Sequence, residues 1–203
     1  MPEPTVRLYR PEDRDAVYDI CIRTGYNGGD AREVYRDHDL LPDMFAGPYT
    51  VLEPDLAFVL DDGGRAVGYV VGTSDTARFA RDFRERWLPT VADRHPLPQG
   101  EPTTLEESMT ALLYRPEHML APEAADYPAH LHIDLLPDYQ GRGFGRILLT
   151  TLFAALDKAG AARVHLVMAT ANTAARAFYD RLGFHEIPVA DTSVVTYLGR
   201  STS

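Results

Sequence analysis

Residues Asp134-Leu135-Leu136-Pro137-Asp138-Tyr139-Gln140-Gly141-Arg142-Gly143-Phe144-Gly145 precede an apolar run at helical spacing. This order predicts a strand that enters a glycine turn, from which a helix begins. Gly141, Gly143 and Gly145 permit backbone conformations that a Cβ disfavours, so that successive N–H groups can converge on a phosphate at the positive end of the helix dipole. The stretch therefore predicts a site for a ligand that carries a diphosphate.

The residues around the turn narrow the class of ligand. A loop for nucleoside triphosphates continues with Gly-Lys-Ser/Thr, whereas Arg146-Ile147 follows this turn. A dinucleotide fingerprint needs its third glycine where Arg146 stands. The pattern that fits is Gln/Arg-x-x-Gly-x-Gly, formed by Gln140, Gly143 and Gly145. This pattern resembles the acetyl-CoA loop of the GNAT acetyltransferase superfamily.

A second motif lies downstream, in Asn172-Thr173-Ala174-Ala175-Arg176-Ala177-Phe178-Tyr179-Asp180-Arg181-Leu182-Gly183-Phe184. Asn172 is a favourable N-cap, and Gly183 supplies the left-handed residue that ends a helix. The apolar residues between them, including Leu182, share one helical face, which is also typical of core packing. The pattern Asn-x-x-Ala-x-x-Phe-Tyr-x-x-x-Gly-Phe resembles the GNAT segment beside the arm of CoA.

The two motifs together imply a GNAT fold that uses acetyl-CoA as the acetyl donor. The resemblance implies that Asn172 holds the pantetheine arm and that backbone N–H groups near Leu135 polarise the acetyl carbonyl. The residues expected to bind acetyl-CoA are Leu135, Leu136, Gln140, Gly141, Arg142, Gly143, Phe144, Gly145, Arg146, Asn172, Ala175, Phe178 and Tyr179.

Composition sets the broad class of the protein. The chain has 203 residues, 45% of them hydrophobic, which is enough for one sizeable core and predicts a single domain over residues 1–203. We expect a cytoplasmic protein, because no apolar run spans a bilayer and Met1-Pro2-Glu3-Pro4 does not begin a signal peptide. Cys21 has apolar neighbours in the sequence, which predicts that it lies in the core. The net charge of −10 disfavours nucleic acid and favours a cationic or neutral acceptor.

The order of predicted elements indicates an α/β (α+β) fold, with a mixed, mostly antiparallel twisted sheet of six to seven strands flanked by helices. Predicted strands are Val6–Tyr9, Ala57–Asp61, Ala66–Thr73, Ala129–Leu136, Arg163–Ala169, Phe184–Pro188 and Val194–Gly199. Predicted helices are Pro11–Arg23, Leu40–Phe45, Gly143–Ala159 and Asn172–Leu182, and Pro48 and Pro54 predict a loop between the second helix and the sheet.

A helical insertion is predicted at residues 76–128, between the third and fourth strands. Phe79, Phe83 and Trp87 recur every four residues and predict one aromatic stripe, which is typical of core packing. A second helix is predicted around Leu105 to Leu113, after a Pro-rich link. An insertion at this place can shape the pocket for the acceptor.

Several runs also resemble the acetyltransferase-like C-terminal domain of animal O-GlcNAcases. They are Tyr49-Thr50-Val51-Leu52-Glu53-Pro54, Phe58-Val59-Leu60-Asp61-Asp62, residues 68–75, Trp87-Leu88-Pro89, residues 178–183 and residues 194–201. The animal domain lacks the glycine turn that this chain has, so its catalytic competence is not carried over. The turn favours acetyl-CoA binding here.

Acetyl transfer to an amine by direct attack in a ternary complex needs a base, because a lysine-like amine is protonated at neutral pH. Asp134 is the leading base, since it precedes the cofactor turn and corresponds to an aspartate of the O-GlcNAcase domain. His132 and His130 are rivals, because an alternating strand places all three on one face. A β-bulge, common on this strand in GNAT relatives, would change that parity.

Two further side chains are candidates. Tyr179 has a phenol that stays protonated at neutral pH and can donate to the leaving thiolate, as the resemblance also implies. Asp75 follows the preceding strand and is a candidate to bind a cationic acceptor. The acceptor is expected to be a small-molecule or peptide amine.

Three alternatives stay open. His130-Leu131-His132-Ile133-Asp134 matches the start of a His-x-His-x-Asp-His zinc motif, but Leu135 stands where the last histidine belongs, so no metal is predicted. The chain also fits a non-catalytic acetyl-CoA-binding or protein-interaction module. Because exposed edge strands can pair between copies, a homodimer is a further option.

Overall fold

A computed structural model describes residues 3–190 and 194–203. Seven strands form one sheet in the order β1-β2-β3-β4-β5-β7-β6, antiparallel except between β4 and β5. The strands are β1 (Thr5–Leu8), β2 (Ala57–Asp62), β3 (Arg65–Thr73), β4 (Ala129–Leu135), β5 (Arg163–Ala169), β6 (His185–Ile187) and β7 (Val195–Ser201). The predicted α/β class and the mixed, mostly antiparallel sheet are confirmed.

The helices cover both faces of the sheet. They are α1 (Arg14–Thr24), α2 (Leu40–Phe45), α3 (Gly47–Leu52), α4 (Thr76–Asp82), α5 (Leu88–Val91), α6 (Leu105–Leu113), α7 (Phe144–Lys158) and α8 (Thr173–Asp180). The helix predicted to run to Leu182 is shorter in the structure. Helix α8 ends at Asp180, so Leu182 lies two residues beyond it. No helix in residues 3–190 or 194–203 has the length and apolar character needed to cross a membrane.

Strands β4 and β5 separate soon after they begin. They pair only at Ala129 with Val164 and at His130 with His165. Beyond these pairs β4 continues to Leu135 on one side and β5 continues to Ala169 on the other. The two inner edges therefore diverge and leave a cleft in the middle of the sheet, with backbone groups free on both sides.

The two faces of β4 carry different side chains. Leu131 opposes Gly72, whose missing Cβ leaves room for Leu152 of α7. The register with β3 is regular from His130 to Leu135, so His130, His132 and Asp134 share the opposite face. That face lies under α1, α2 and α3, and no bulge changes its parity. The predicted common face of the three polar residues is confirmed.

The insertion between β3 and β4 is helical, as predicted. It contains α4, α5 and α6, with a π-helical segment, Phe83–Trp87, between α4 and α5. Phe79, Phe83 and Trp87 are buried in the core, so the aromatic stripe packs inward as its spacing predicted. The ring of Phe79 stacks on Tyr49 at a centroid distance of 4.3 Å, which joins the insertion to α3.

The prediction of a loop around Pro48 was wrong. Residues Gly47–Leu52 form α3, and Pro48 occupies its first turn. Proline is tolerated there because the first backbone N–H groups of a helix have no partner within the helix. The correction matters because α3 carries Tyr49 to the face of β4 that holds the histidines.

Candidate active site

A cavity of about 1060 Å³ lies where β4 and β5 diverge. Its walls include side chains from β4 and β5, the glycine turn, the start of α8 and the inner surface of the insertion. Asp134, Tyr179 and His132, the three predicted catalytic residues, all line this cavity. The sheet therefore brings the predicted cofactor loop and the predicted chemical groups together in one place.

The glycine turn presents unpaired amides. Gly141 and Gly143 have positive φ angles of 69° and 90°, and Gly143 is the N-cap of α7. Within the part of the chain that the structure describes, no backbone or side-chain acceptor takes the N–H groups of residues 141–145. These amides lie at the positive end of a 15-residue helix, an arrangement that binds phosphate.

Gly145 joins the turn to the second motif. A Cβ on Gly145 would lie 2.9 Å from a ring atom of Phe178, closer than side chains pack. The glycine therefore allows α8 to approach the start of α7, and Phe178 and Ala175 line the cavity beside the turn. Gln140 fixes the other end, because its Nε2 donates to the carbonyl oxygen of Leu135 at 2.8 Å.

Positive side chains surround the mouth of this site. Arg146 and Arg181 line the cavity, and Arg142 is exposed on the glycine turn with its guanidinium over the ring of Phe144. Across residues 3–190 and 194–203, none of these arginines forms an ion pair. The chain carries a net charge of −10, so these groups supply the positive charge that a polyphosphate ligand requires.

Asn172 caps helix α8 at the cavity wall. Its Oδ1 accepts the backbone N–H of Ala175 at 3.0 Å and caps α8, as the sequence predicted. Its Nδ2 lies near the loop before α2, since a Cβ on Gly28 would be 3.3 Å from it. Asn172 and Ala175 both line the cavity.

Asp134 lines the cavity from the face of β4 that α1 covers. Burial raises its pKa to about 6, although the hydrogen bond from the hydroxyl of Tyr69 opposes the shift. The Tyr69 hydroxyl donates to Oδ2 of Asp134 at 2.5 Å. A carboxyl with this pKa is ionised at pH 7 and is basic enough to accept a proton.

The two histidines of β4 share one partner, Tyr49 of α3. The Tyr49 hydroxyl lies 2.6 Å from Nε2 of His130 and 3.1 Å from Nε2 of His132. Burial lowers the pKa of His132 to about 4 and lowers that of His130 well below its ordinary range, so both rings are neutral at pH 7. Nδ1 of His130 lies 2.8 Å from Oγ1 of Thr76.

Tyr179 lies on the α8 side of the cavity. No residue in the described part of the chain forms a hydrogen bond with its hydroxyl. Burial and the nearby charge of Asp134 raise the pKa of this phenol, which keeps it protonated. Every buried polar side-chain atom of the described residues has a partner, so this unpartnered hydroxyl must reach the surface of the cavity.

Comparisons with known proteins agree with this geometry. A family model, the acetyltransferase (GNAT) family, matches residues 109–184. The crystal structure of SsHAT superposes with a TM-score of 0.96 at 61% identity, and the match covers 100% of both chains. The chain belongs to the GNAT acetyltransferase family. Members of this family use acetyl-CoA.

Two curated proteins extend the comparison of this GNAT chain. It is 27% identical over 201 residues to protein O-GlcNAcase of Rattus norvegicus, a match that covers 97% of this chain and 22% of that protein. It is 42% identical over 64 residues to the [ribosomal protein bS18]-alanine N-acetyltransferase of Escherichia coli K12, which covers 32% of this chain and 43% of that enzyme. The chain thus spans about a fifth of the O-GlcNAcase, and the predicted resemblance to O-GlcNAcases is confirmed.

Some residues predicted to serve the GNAT site lie elsewhere. Asp75 is exposed and outside the cavity wall, because its carboxylate accepts the backbone N–H of Arg78 at 2.9 Å and caps α4. Leu136 and Phe144 are buried in the core, and the side chain of Arg142 lies outside the wall. The backbone amides of Arg142 and Phe144 still belong to the turn.

The zinc alternative finds no support in the geometry. Both ring nitrogens of His130 are engaged by hydroxyl groups. In residues 3–190 and 194–203 no three histidine, cysteine or acidic side chains stand close enough to hold a metal ion. The short histidine pattern therefore reflects a buried hydrogen-bond network on β4.

Three residues at or next to the cavity wall were missed in the sequence. Tyr49, Tyr69 and Arg181 contact or line the site. Tyr49 and Tyr69 both stand in runs shared with the O-GlcNAcase domain, and buried tyrosines usually have partners for their hydroxyls. Arg181 stands inside the second motif. Its residue type was the available signal, because arginine is a common ligand of phosphate groups.

Proposed function

We propose that this GNAT protein is an N-acetyltransferase that moves an acetyl group from acetyl-CoA to the primary amine of a small-molecule or peptide acceptor. One observation carries the proposal. The carboxyl of Asp134 and the free hydroxyl of Tyr179 line the same cavity as the unpaired amides at residues 141–145. A proton acceptor, a proton donor and a phosphate site in one cavity match what amine acetylation requires.

The residues fit acetyl-CoA at the phosphate end of the cavity. The amides of residues 141–145 would hold the diphosphate, and Arg146 and Arg181 would offset its charge. The diverging edge of β4 offers backbone groups for the amides of the pantetheine arm. Bound in this way, acetyl-CoA supplies a thioester whose carbonyl carbon is open to attack by an amine in a ternary complex.

On the acceptor side, Asp134 would receive the proton that the amine must lose. An alkylammonium with a pKa of about 10.4 gives up its proton at pH 7 at a cost of roughly 4.6 kcal/mol, so a base held beside it raises the rate. Asp134 is the strongest candidate, since its pKa of about 6 lies closer to neutral pH than that of His132. On the donor side, Tyr179 would give its proton to sulfur as the thiolate leaves.

The test measures CoA release from acetyl-CoA across a panel of amines, amino sugars and peptides, with product masses determined for each. Acceptor-dependent CoA release with a matching gain of one acetyl group supports the proposal. Heat of binding with acetyl-CoA but no acetylated product from any acceptor would instead indicate a non-catalytic acetyl-CoA-binding module.

A further inference from the structure

A continuous chain of hydrogen bonds connects His132 to the backbone before β4. The Tyr49 hydroxyl lies 3.1 Å from Nε2 of His132 and 2.6 Å from Nε2 of His130. Nδ1 of His130 lies 2.8 Å from the Thr76 hydroxyl, which lies 2.8 Å from the carbonyl oxygen of Pro128. The chain begins at a group that can only accept a hydrogen bond, and this fixes the direction of every bond in it.

The protons can be assigned one at a time. The Thr76 hydroxyl has one proton and gives it to the carbonyl of Pro128, so Thr76 accepts the Nδ1–H of His130. His130 is neutral, so its Nε2 has a lone pair and accepts the Tyr49 hydroxyl. Tyr49 then has no proton left, so its oxygen accepts the Nε2–H of His132.

The assignment leaves a lone pair on Nδ1 of His132. Among the described residues nothing donates to this nitrogen, and none of their buried polar side-chain atoms lacks a partner, so Nδ1 must reach the cavity surface. We propose that Tyr49 is a positioning residue that holds His132 in the Nε2–H tautomer, so that the Nδ1 lone pair faces the cavity and accepts an N–H of the acceptor amine.

The tautomer matters for the orientation of the amine, and this inference rests on the proposed function. A primary amine that attacks with its lone pair has N–H groups that need acceptors. Asp134 can take the proton that leaves, and Nδ1 of His132 can accept a second N–H from the same face of β4. The opposite tautomer would place an N–H of His132 against an N–H of the amine, and that contact is repulsive.

The experiment combines imidazole nitrogen NMR with steady-state kinetics on Tyr49→Phe. Phenylalanine keeps the stack on Phe79 and removes only the hydroxyl. We expect His132 to be the Nε2–H tautomer in the wild type and a mixture in the variant, with its signals assigned by their loss in His132→Gln. We also expect kcat to fall in proportion to the loss of the Nε2–H tautomer, roughly twofold when one net hydrogen bond of bias is removed and the two tautomers become equally populated, while acetyl-CoA affinity is unchanged.

Two other variants keep the test decisive. Thr76→Val acts at the far end of the chain and should also mix the His132 tautomers, because His130 is then free to protonate Nε2. Tyr127→Phe removes the tyrosine–histidine bond of 2.7 Å to His185, outside the cavity, and should leave His132 and turnover as in the wild type. An unchanged His132 tautomer in both Tyr49→Phe and Thr76→Val overturns the inference. Because the NMR needs no turnover, this failure is distinct from failure of the proposed acetyl transfer.

The composition of the cavity wall carries a second inference, about the acceptor. The chain has 30 acidic residues, yet among the described residues Asp134 is the only one that lines the cavity. The wall formed by α2, the π-helical segment and the rest of the insertion is apolar except for His118. Its apolar side chains are Met44, Phe45, Phe83, Met109, Leu112 and Met119.

An apolar wall with a single carboxyl suits one amine on an apolar body. A second ammonium in the cavity would be desolvated without a carboxylate partner, and such burial is unfavourable. We infer that the acceptor of the proposed transfer is a monoamine with an alkyl or aromatic body, rather than a polyamine or a lysine-rich peptide. The methionine side chains adapt to different apolar shapes, which fits a small-molecule acceptor.

Hexylamine and 1,6-diaminohexane test this inference, because they share a carbon chain and differ by one ammonium. We expect kcat/KM to be at least about tenfold higher for hexylamine. Met119→Glu should reduce that preference, whereas Leu120→Glu, at a neighbouring position 44% exposed to solvent, should not. Calorimetry on protein saturated with CoA ranks the two amines even without turnover. Equal or tighter binding of the diamine overturns the inference, whereas correct ranking without product overturns only the proposed transfer.

Discussion

The Tyr69 hydroxyl donates a 2.5 Å hydrogen bond to Asp134, and the two residues face each other in register across β3 and β4. Tyr69 is fully buried, so this bond is shielded from water. Burial raises the pKa of Asp134 to about 6, and the bond from Tyr69 holds it below the value that burial alone would give. The pair thus adjusts the basicity of the group that we propose as the base.

Removal of this bond should change the pH dependence of the reaction. Wild-type kcat/KM should fall below about pH 6, as Asp134 becomes protonated and can no longer act as a base. In Tyr69→Phe the carboxylate loses a stabilising donor, so its pKa rises and the acid limb should move to higher pH by on the order of one unit. Asp134→Asn should reduce kcat by roughly 100-fold above pH 6, where the wild-type carboxylate is ionised, and the difference should shrink at lower pH. An acid limb that stays in place in Tyr69→Phe contradicts the assignment.

Tyr179→Phe should separate catalysis from cofactor binding. The Tyr179 hydroxyl has no hydrogen-bond partner among the described residues, so its removal leaves no unpaired group behind. We expect acetyl-CoA affinity by calorimetry to stay within about twofold, since the ring and its contacts remain. Turnover should fall roughly 100-fold because the thiolate loses its proton donor. Full turnover in this variant would mean that water or another group protonates the thiolate.

A matched pair of glycines tests the phosphate site. Gly143 and Gly100 have φ angles of +90° and +91°, and a Cβ on either would meet no atom within 4 Å. Alanine at either position should therefore cost a similar amount of stability, about 1–2 kcal/mol, through backbone strain alone. Only Gly143→Ala should also weaken acetyl-CoA binding, by at least about tenfold, because the amides of the turn lose their alignment. Equal affinities in the two variants would place the diphosphate elsewhere.

The insertion is anchored by a charged cluster with its own pH dependence. His95 contacts Asp43 and Asp37, each at 2.8 Å. Burial opposes protonation of His95, but the two carboxylates outweigh it and raise its pKa above 6.5. This contribution to stability is therefore complete below pH 6.5 and is lost as the pH rises through the raised pKa.

His95→Gln should thus lower the free energy of unfolding more at pH 6 than at pH 9, by about 1–3 kcal/mol at the lower pH. Urea denaturation at the two pH values measures the difference. The exposed His38 provides a control for the substitution itself, and His38→Gln should change the free energy of unfolding only slightly. A loss for His95→Gln that is independent of pH would show that the ring acts only through packing.

Local patterns predicted the parts of the site that are continuous in sequence. The glycine turn, the strand before it and the capped helix at Asn172 are each encoded within about a dozen residues, and the structure contains all of them. The common face of His130, His132 and Asp134 follows from strand alternation alone.

Contacts between distant segments could not be predicted in this way. Tyr49 meets His130 across 81 positions of sequence, and Tyr69 meets Asp134 across 65. The periodicity of a sequence does not predict contacts between distant residues. In addition, Pro48 was interpreted as part of a loop, so the helix that carries Tyr49 was not predicted. For Asp75 the overlooked contact was local. Its carboxylate accepts the backbone N–H of Arg78, three residues later, and caps α4 instead of lining the cavity.

The central claim is that the amides of residues 141–145 bind the diphosphate of an acetyl donor beside Asp134 and Tyr179. Calorimetric titration with acetyl-CoA and with S-acetylpantetheine, which has the same thioester arm and no phosphate, tests it most directly. We expect acetyl-CoA to bind at least about tenfold more tightly. Equal affinities for the two donors, or no heat with acetyl-CoA, would contradict the claim.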